Sequence, residues 1–394
     1  RSRPPQVALG FLAALLAVVP AAAQNAASQT APAASTATAA AGPVRIAHLR
    51  LSGQVLDSPP GFAFFPQPEK AYTLRTWLHR LAEARQDDAV RAVALEVDSP
   101  QMSWAQAQEL ADAVRRLAEV KPVHCYLPSG WTTSYLVASA GSEVTMHPVG
   151  SLLITGVGAE VFFYRGTLDL IGVEPQFVQA GRFKAAAEPL TRTEPSEEMK
   201  WVFNWLLDDL YDQLCKHVAD NRDDLDDGQV RRIIDRGPFT APEAKSHRLV
   251  DALVEHVRWR GHVASAVADD PDSVEWLESY AAPSEPRLDF SNPFALLRTL
   301  MQGPETEGVR EPTIAIIHAD GMIVPGRSRD GLFGQAMVGA RTLVDCFERA
   351  RTDDRIKAVV FRINSPGGSA LASEQIYQAA RRCGRRKPVI ASIG

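Results

Sequence analysis

The sequence predicts an α/β fold with a mainly parallel sheet, built twice in tandem. Residues 88–123 return as residues 354–389 at a constant offset of 266, with 12 of 36 positions identical. Among them are Ser99-Pro100 with Ser365-Pro366, and Lys121-Pro122-Val123 with Lys387-Pro388-Val389. Within each copy, short apolar runs alternate with stretches of helical periodicity in the order strand, helix, strand, helix, strand. A chain of 394 residues, 45% hydrophobic and 23% charged, has enough apolar material for two cores.

The first copy opens with the alternating run Val44 to Leu51, closed by Ser52-Gly53, and its counterpart is Thr313 to His318, closed by Asp320-Gly321. A helix follows over Thr73 to Arg85 (second copy, Thr342 to Arg351), then a strand over Ala92 to Val97 (Ala358 to Ile363). After the Ser-Pro turn comes a helix from Trp104 to Leu117 (Leu371 to Arg382). Such alternation predicts stacked βαβ units. The first copy continues with a strand at Val123 to Tyr126, a helix near Ser134 to Ala140, a strand at Glu143 to Met146 and a strand-like run at Gly172 to Gln179. A long helix around Ser196 to Ala219 and a closing segment from Gln229 to Val254 complete it. The second copy stops at Gly394, five residues past Val389, so its domain is expected to be incomplete.

Before the repeats, Arg1-Ser2-Arg3, the apolar stretch Val7 to Val19 and Ala21-Ala22-Ala23 have the layout of a secretory signal, with cleavage after Ala23, or of an N-terminal anchor. Export follows, to the periplasm or the outer face of the inner membrane. The expected organisation is a leader or anchor at 1–23, an Ala/Ser/Thr/Pro-rich tether at 24–43, a first repeat at 44–280, a linker at 281–311 and the start of a second repeat at 312–394. A net charge of −5, with no basic run beyond Arg381 to Lys387, gives no footprint for nucleic acid. Cys125, Cys215, Cys346 and Cys383 are scattered with no CxxC and no His at ligand spacing, so neither a zinc site nor a disulfide framework is implied, and buried thiols are expected.

Four patterns bear on chemistry. Asn364-Ser365-Pro366-Gly367-Gly368-Ser369 follows a buried strand and precedes a helix; two glycines there leave backbone N–H groups facing a cleft, as an oxyanion hole needs, or simply make a strand-to-helix turn. The first copy has Asp98-Ser99-Pro100-Gln101-Met102 instead, keeping the turn without the open donors. Lys184, flanked by Phe183 and Ala185-Ala186-Ala187, has few polar neighbours in sequence; desolvation would lower a lysine pKa towards that of a base, whereas most isolated lysines are solvated. Gly237 to Ala244, running into Leu249-Val250-Asp251, reads as a domain-closing helix on which Phe239 and Ala244 pack. Thr132-Thr133-Ser134 reads as a helix N-cap, with no nearby His to activate a hydroxyl.

Together these stretches resemble the long, two-repeat form of the signal peptide peptidase SppA (protease IV) family, of the ClpP and crotonase superfamily, over residues 44–394. Gly181-Arg182-Phe183-Lys184-Ala185-Ala186-Ala187-Glu188-Pro189-Leu190 is similar to the family's G-x-[YF]-K-S-A-x-E-P-[FL], which implies that Lys184 is the general base of a Ser/Lys dyad. The turn at 364–369 is similar to D-S-P-G-G-S, which implies oxyanion-hole roles for Gly367 and Gly368. The nucleophilic serine belongs to S-x-G-x-x-A-A-S-G-G-Y. This chain reaches Ser392-Ile393-Gly394 of that motif, so the serine is expected to be absent from these residues. Three positions depart from the pattern: Ala185 replaces a serine, Asn364 an aspartate, and Arg248 a glycine before Leu249-Val250-Asp251. In the first copy Thr132 or Thr133 falls at the serine's place, so that copy contributes the base but neither nucleophile nor hole.

The resemblance implies tandem ClpP/crotonase-like βαβ superhelices, the second incomplete. It also implies a serine endopeptidase degrading signal peptides or other membrane-derived peptides, without metal or organic cofactor, as a homotetramer close to a membrane. The 394-residue chain alone is expected to be inactive. A crotonase-like acyl-CoA enzyme and a non-catalytic membrane-associated scaffold are the alternative classes; the export signal argues against the first, because coenzyme A is cytosolic.

Overall fold

Alternating apolar residues build the first strand, β1 (Arg45–Leu56), whose Ala47, Leu49 and Leu51 are buried. The computed structural model describes residues 43–58, 72–283, 311–330 and 336–394. The expected leader, the tether apart from Pro43, and the interior of the 281–311 linker lie outside the described residues. From β1 the chain passes through α1 (Leu74–Gln86) to β2 (Val90–Gln101), then α2 (Trp104–Ala118), β3 (Val123–Leu127), α3 (Thr132–Ser139) and β4 (Glu143–Met146). Thr73 caps α1, and Ser103 forms a capping box with Gln106 at the start of α2, so both helices begin where their first N–H groups find side-chain acceptors.

After a long exposed stretch come α4 (Glu197–Asn221), α5 (Asp227–Ile234), α6 (Ala241–Ser246), β5 (Ala252–Leu253), α7 (His256–Val267) and β6 (Glu275–Leu277). The main sheet runs β6-β1-β2-β3-β4-β5, every pair parallel. Its inner face, with Leu49, Val93, Leu95, Cys125 and Val144, packs on Trp77, Leu110, Val114 and Leu136 of α1, α2 and α3. Phe239 and Ala244 are buried there, as the closing segment required.

The second repeat has β7 (Thr313–Asp320), β8 (Met322–Val324), α8 (Ala340–Thr352), β9 (Ile356–Asn364), α9 (Ala370–Gly384) and β10 (Val389–Ile393). Its parallel sheet, β7-β9-β10, covers a core of Ile317, Leu343, Phe347, Val359, Ile376 and Cys383. Equivalent lysines close equivalent turns: Lys121 Nζ donates to the carbonyls of Ala84 (2.8 Å) and Asp87, and Lys387 Nζ to those of Ala350 (2.6 Å) and Asp353. The chain is thus α/β with parallel sheets, as expected.

The two sheets differ on their outer faces. In the first repeat α7 lies across that face, with Trp259 and Val263 against Ile46, Ala94 and Tyr126. Ile314 occupies the register of Ile46, since Ile46 pairs with Ala92 and Ile314 with Ala358. Ile46 is 0% exposed and Ile314 60%, because among the described residues no helix of the second repeat lies across its outer face as α7 does across the first.

Sequence reading missed α7 and β6, although Trp259, Val263 and Val267 recur at helical spacing. Gly172 to Gln179 is not a strand: the segment is exposed and pairs with no described strand, so its backbone has no ladder to join. Cys346 is exposed rather than buried, while Cys125, Cys215 and Cys383 are buried. Strand β2 runs on through Gln101 with Ser99 at φ 48°, so the first copy extends its ladder where the second makes its glycine turn. Arg248 sits at φ 61°, in the left-handed region that a glycine occupies without strain. Arg248→Gly is therefore expected to raise stability by about 0.5–1 kcal/mol, the relief of strain being partly offset by a freer unfolded chain. Denaturant melts check this; a loss of stability would contradict it.

Polar ties hold α7 down. Glu143 accepts from His124 Nδ1 (2.6 Å) and pairs with His262 Nε2 of α7 (2.7 Å). Glu96 lies 3.2 Å from His256 Nε2 and 3.6 Å from His48 Nε2. The hydrogen bond from His124, reinforced by His262 and opposed by burial, holds the Glu143 carboxyl down to about 2. The hydrogen bond to Glu96 raises His48 above 6.5, although burial opposes it. A depressed carboxylate stabilises above its unfolded value of about 4.3 and loses that contribution as pH falls through its folded value. A raised histidine stabilises below 6.5 and loses its contribution as pH rises through its higher folded value. Thermal melts should therefore show greatest stability between about pH 4.5 and 6.5. Glu143→Gln should flatten the acid limb and leave the alkaline limb in place.

Candidate active site

Strand β9 ends at Asn364 and the chain turns at once into α9. Ser365 Oγ donates to the Gly321 carbonyl (2.6 Å) and accepts from Gly367 N–H (3.1 Å). Ile323 of β8 then clamps the turn: its N–H donates to Gly367 O and its carbonyl accepts from Ser369 N–H, both at 2.9 Å. Ser369 Oγ caps α9 through Ala372 N–H (3.3 Å). Gly367 and Gly368 have φ of 104° and 154°, and a Cβ on Gly368 would lie 2.0 Å from Ile323 O. Only glycine fits at 368.

The two glycines are not equivalent as donors. Gly367 N–H is already engaged by Ser365. Gly368 N–H makes no hydrogen bond to any described residue, which leaves it the open donor of the pair.

Lys184 lies in the exposed stretch between β4 and α4. Gly181 (φ 101°) turns the chain, and Lys184 N–H donates to Gly181 O at 3.2 Å. The segment is moored downstream: Glu188 accepts from Ser196 Oγ (2.6 Å) and Ser196 N–H (2.8 Å), and Arg182 Nε pairs with Glu198 (2.8 Å). Phe183 packs at 5.7 Å on Trp201 of α4, which stacks on Trp205. The Lys184 side chain is exposed, and among the described residues it makes no hydrogen bond or ion pair. The expected desolvation is thus not met within this chain. Phe183 and Ala186 are themselves exposed, so apolar neighbours in sequence do not become a covering wall. No described hydrogen bond or ion pair joins Lys184 to the 364–369 turn.

The hydroxyls at 132–134 do not cap α3. Its N-cap is Trp131, without a side-chain bond, and Thr132 Oγ1 points to Leu153 O at 3.4 Å. Sequence reading missed Asp57 of the first repeat, which accepts from Asn364 Nδ2 at 2.9 Å; no motif marks it.

Residues 115–260 match the model of peptidase family S49. Protease 4 of Haemophilus influenzae is 28% identical over 275 residues, which cover 70% of this chain and 43% of that protein. Protease 4 of Salmonella typhi is 28% identical over 335 residues, 80% of this chain and 49% of that protein. The chloroplastic serine protease SPPA of Arabidopsis thaliana is 25% identical over 316 residues, 79% of this chain and 44% of that protein. The chain is similar to SppA-type proteases over most of its length, with a peptidase family S49 segment at residues 115–260. It spans about half the length of these curated SppA-related proteins. The matched S49 segment contains Lys184, while the glycine turn lies beyond it in the second repeat. Among the described residues, no helix is long and apolar enough to cross a membrane.

Proposed function

We propose that this chain carries the general base and the oxyanion donor of an exported serine endopeptidase whose Ser/Lys dyad degrades signal peptides or other membrane-derived peptides. The observation that carries the reading is the open Gly368 N–H, in a turn whose geometry admits only glycine. A serine from beyond Gly394 attacks the peptide carbonyl. Lys184, as the free amine, takes the serine's proton and passes it to the leaving amine. Gly368 N–H stabilises the oxyanion, and Gly367 holds the turn open beside it.

An ammonium gives up its proton readily only when desolvated, and Lys184 is exposed in the single chain. Its segment also exposes Leu170, Val178, Phe183, Trp201 and Trp205, an apolar surface suited to burial by another subunit. We therefore include assembly as a homotetramer, with peptides bound near the membrane surface.

The test is hydrolysis of apolar peptides by a form extended to the length of the relatives. Cleavage should persist in chelator, and the 394-residue chain alone should show none. Chelator-sensitive cleavage, or cleavage by the 394-residue chain that survives Lys184→Ala, would overturn the reading.

A further inference from the structure

Outer-face residues alternate along β9, so Arg362 and Asn364 project on the same side, towards the first repeat. Asn364 Nδ2 donates to Asp57 Oδ2 at 2.9 Å and to Asp320 Oδ1 at 3.0 Å, using both amide hydrogens. Arg362 reaches Asp57 Oδ1 at 3.5 Å, Glu109 Oε1 of α2 at 2.8 Å and Ser392 Oγ at 2.8 Å. Ser58 Oγ donates to Asp320 Oδ2 at 3.1 Å. Asp57 and Arg362 are both buried, so the junction is a satisfied polar network rather than a surface ion pair.

We propose that Asp57 is a positioning residue: it grips the Asn364 side chain from the first repeat and thereby sets the turn that presents Gly368 N–H. The inference rests on the reading of that turn as the oxyanion hole. It also accounts for the residue type at 364. An aspartate there would bring a third carboxylate against Asp57 and Asp320 with no hydrogen to donate, whereas the amide of asparagine donates to both. The departure from the D-S-P-G-G-S pattern is thus matched to Asp57 and Asp320.

The test is amide hydrogen exchange across residues 364–369 in the whole chain, for the parent, Asp57→Ala and Asn364→Asp. In Asp57→Ala the Arg362 guanidinium keeps Glu109 and Ser392, so the variant should fold. Both variants should exchange about tenfold faster than the parent in the turn at neutral pH, with amides of α8 unchanged. Near pH 4 the Asn364→Asp turn should regain protection relative to the parent at the same pH, because a protonated carboxyl again donates; Asp57→Ala should not. The groups facing this cluster are Asp57, Asp320, Glu109, Arg362, His318 and Arg75. Parent-like exchange in both variants, or equal loosening throughout the second repeat, would overturn the proposal. In an extended, active form, faster exchange with unchanged hydrolysis would instead leave Asp57 as a positioning residue and remove the oxyanion role of the turn.

Discussion

Lys184→Ala, in a form extended to the length of the relatives, is expected to lower kcat/KM for peptide hydrolysis by about 10³-fold or more while leaving the melting temperature unchanged. The second half follows from the structure: the Lys184 side chain is exposed and tied to no described group, so its removal costs folding less than about 0.5 kcal/mol. A loss of rate with fold and oligomer intact is then chemical. Lys184→Arg should be nearly as damaging, because a guanidinium does not deprotonate and cannot act as the base. Steady-state kinetics and thermal melts on both variants check this, and activity within a few-fold of the parent in either would remove Lys184 from the mechanism. A loss of activity accompanied by loss of oligomer would point to assembly instead, so sedimentation belongs with the assay.

Gly368→Ala should be strongly destabilising to the second repeat. The added Cβ would lie 2.0 Å from Ile323 O and 2.8 Å from Ile323 N and C, all backbone atoms of a paired strand that cannot swing aside. With φ at 154° the residue is also strained, and together these should cost about 3 kcal/mol or more. Gly367→Ala differs: its Cβ would meet nothing within 4 Å, so only the strain of φ 104° remains, about 1–2 kcal/mol. Chemical denaturation should order the two variants this way. Equal costs would mean that the clamp by Ile323 does not hold the turn. In the extended enzyme Gly368→Ala should also abolish hydrolysis, since the displaced residue carries the open N–H.

Local pattern was enough to place most of the scaffold. The apolar alternation at Ile46 to Leu51, the helical spacing of Leu110, Val114 and Leu117, and the recurrence of Lys-Pro-Val are short-range signals, and the helices start where Thr73, Ser103, Ser196 and Ser369 cap them. The same short-range reading failed where a partner decides the outcome. Gly172 to Gln179 has the composition of a strand but no described neighbour to pair with, and Thr132 to Ser134 has the hydroxyls of a cap but its helix begins one residue too early, at Thr132, to use them.

The residues by themselves determined that this is a parallel α/β chain, that Lys184 stands in an apolar run, and that Gly367 and Gly368 close a strand-to-helix turn. Only the tertiary structure decided that Lys184 is exposed, that Ser365 occupies Gly367 N–H while Gly368 N–H meets no described acceptor, and that Asp57 holds Asn364. Each of these depends on what lies across space from a residue rather than beside it in sequence. Asp57 and Asn364 are 307 positions apart, and their bond exists because β7 and β9 bring Asp320 and Asn364 to the end of β1, where a buried carboxylate must find donors.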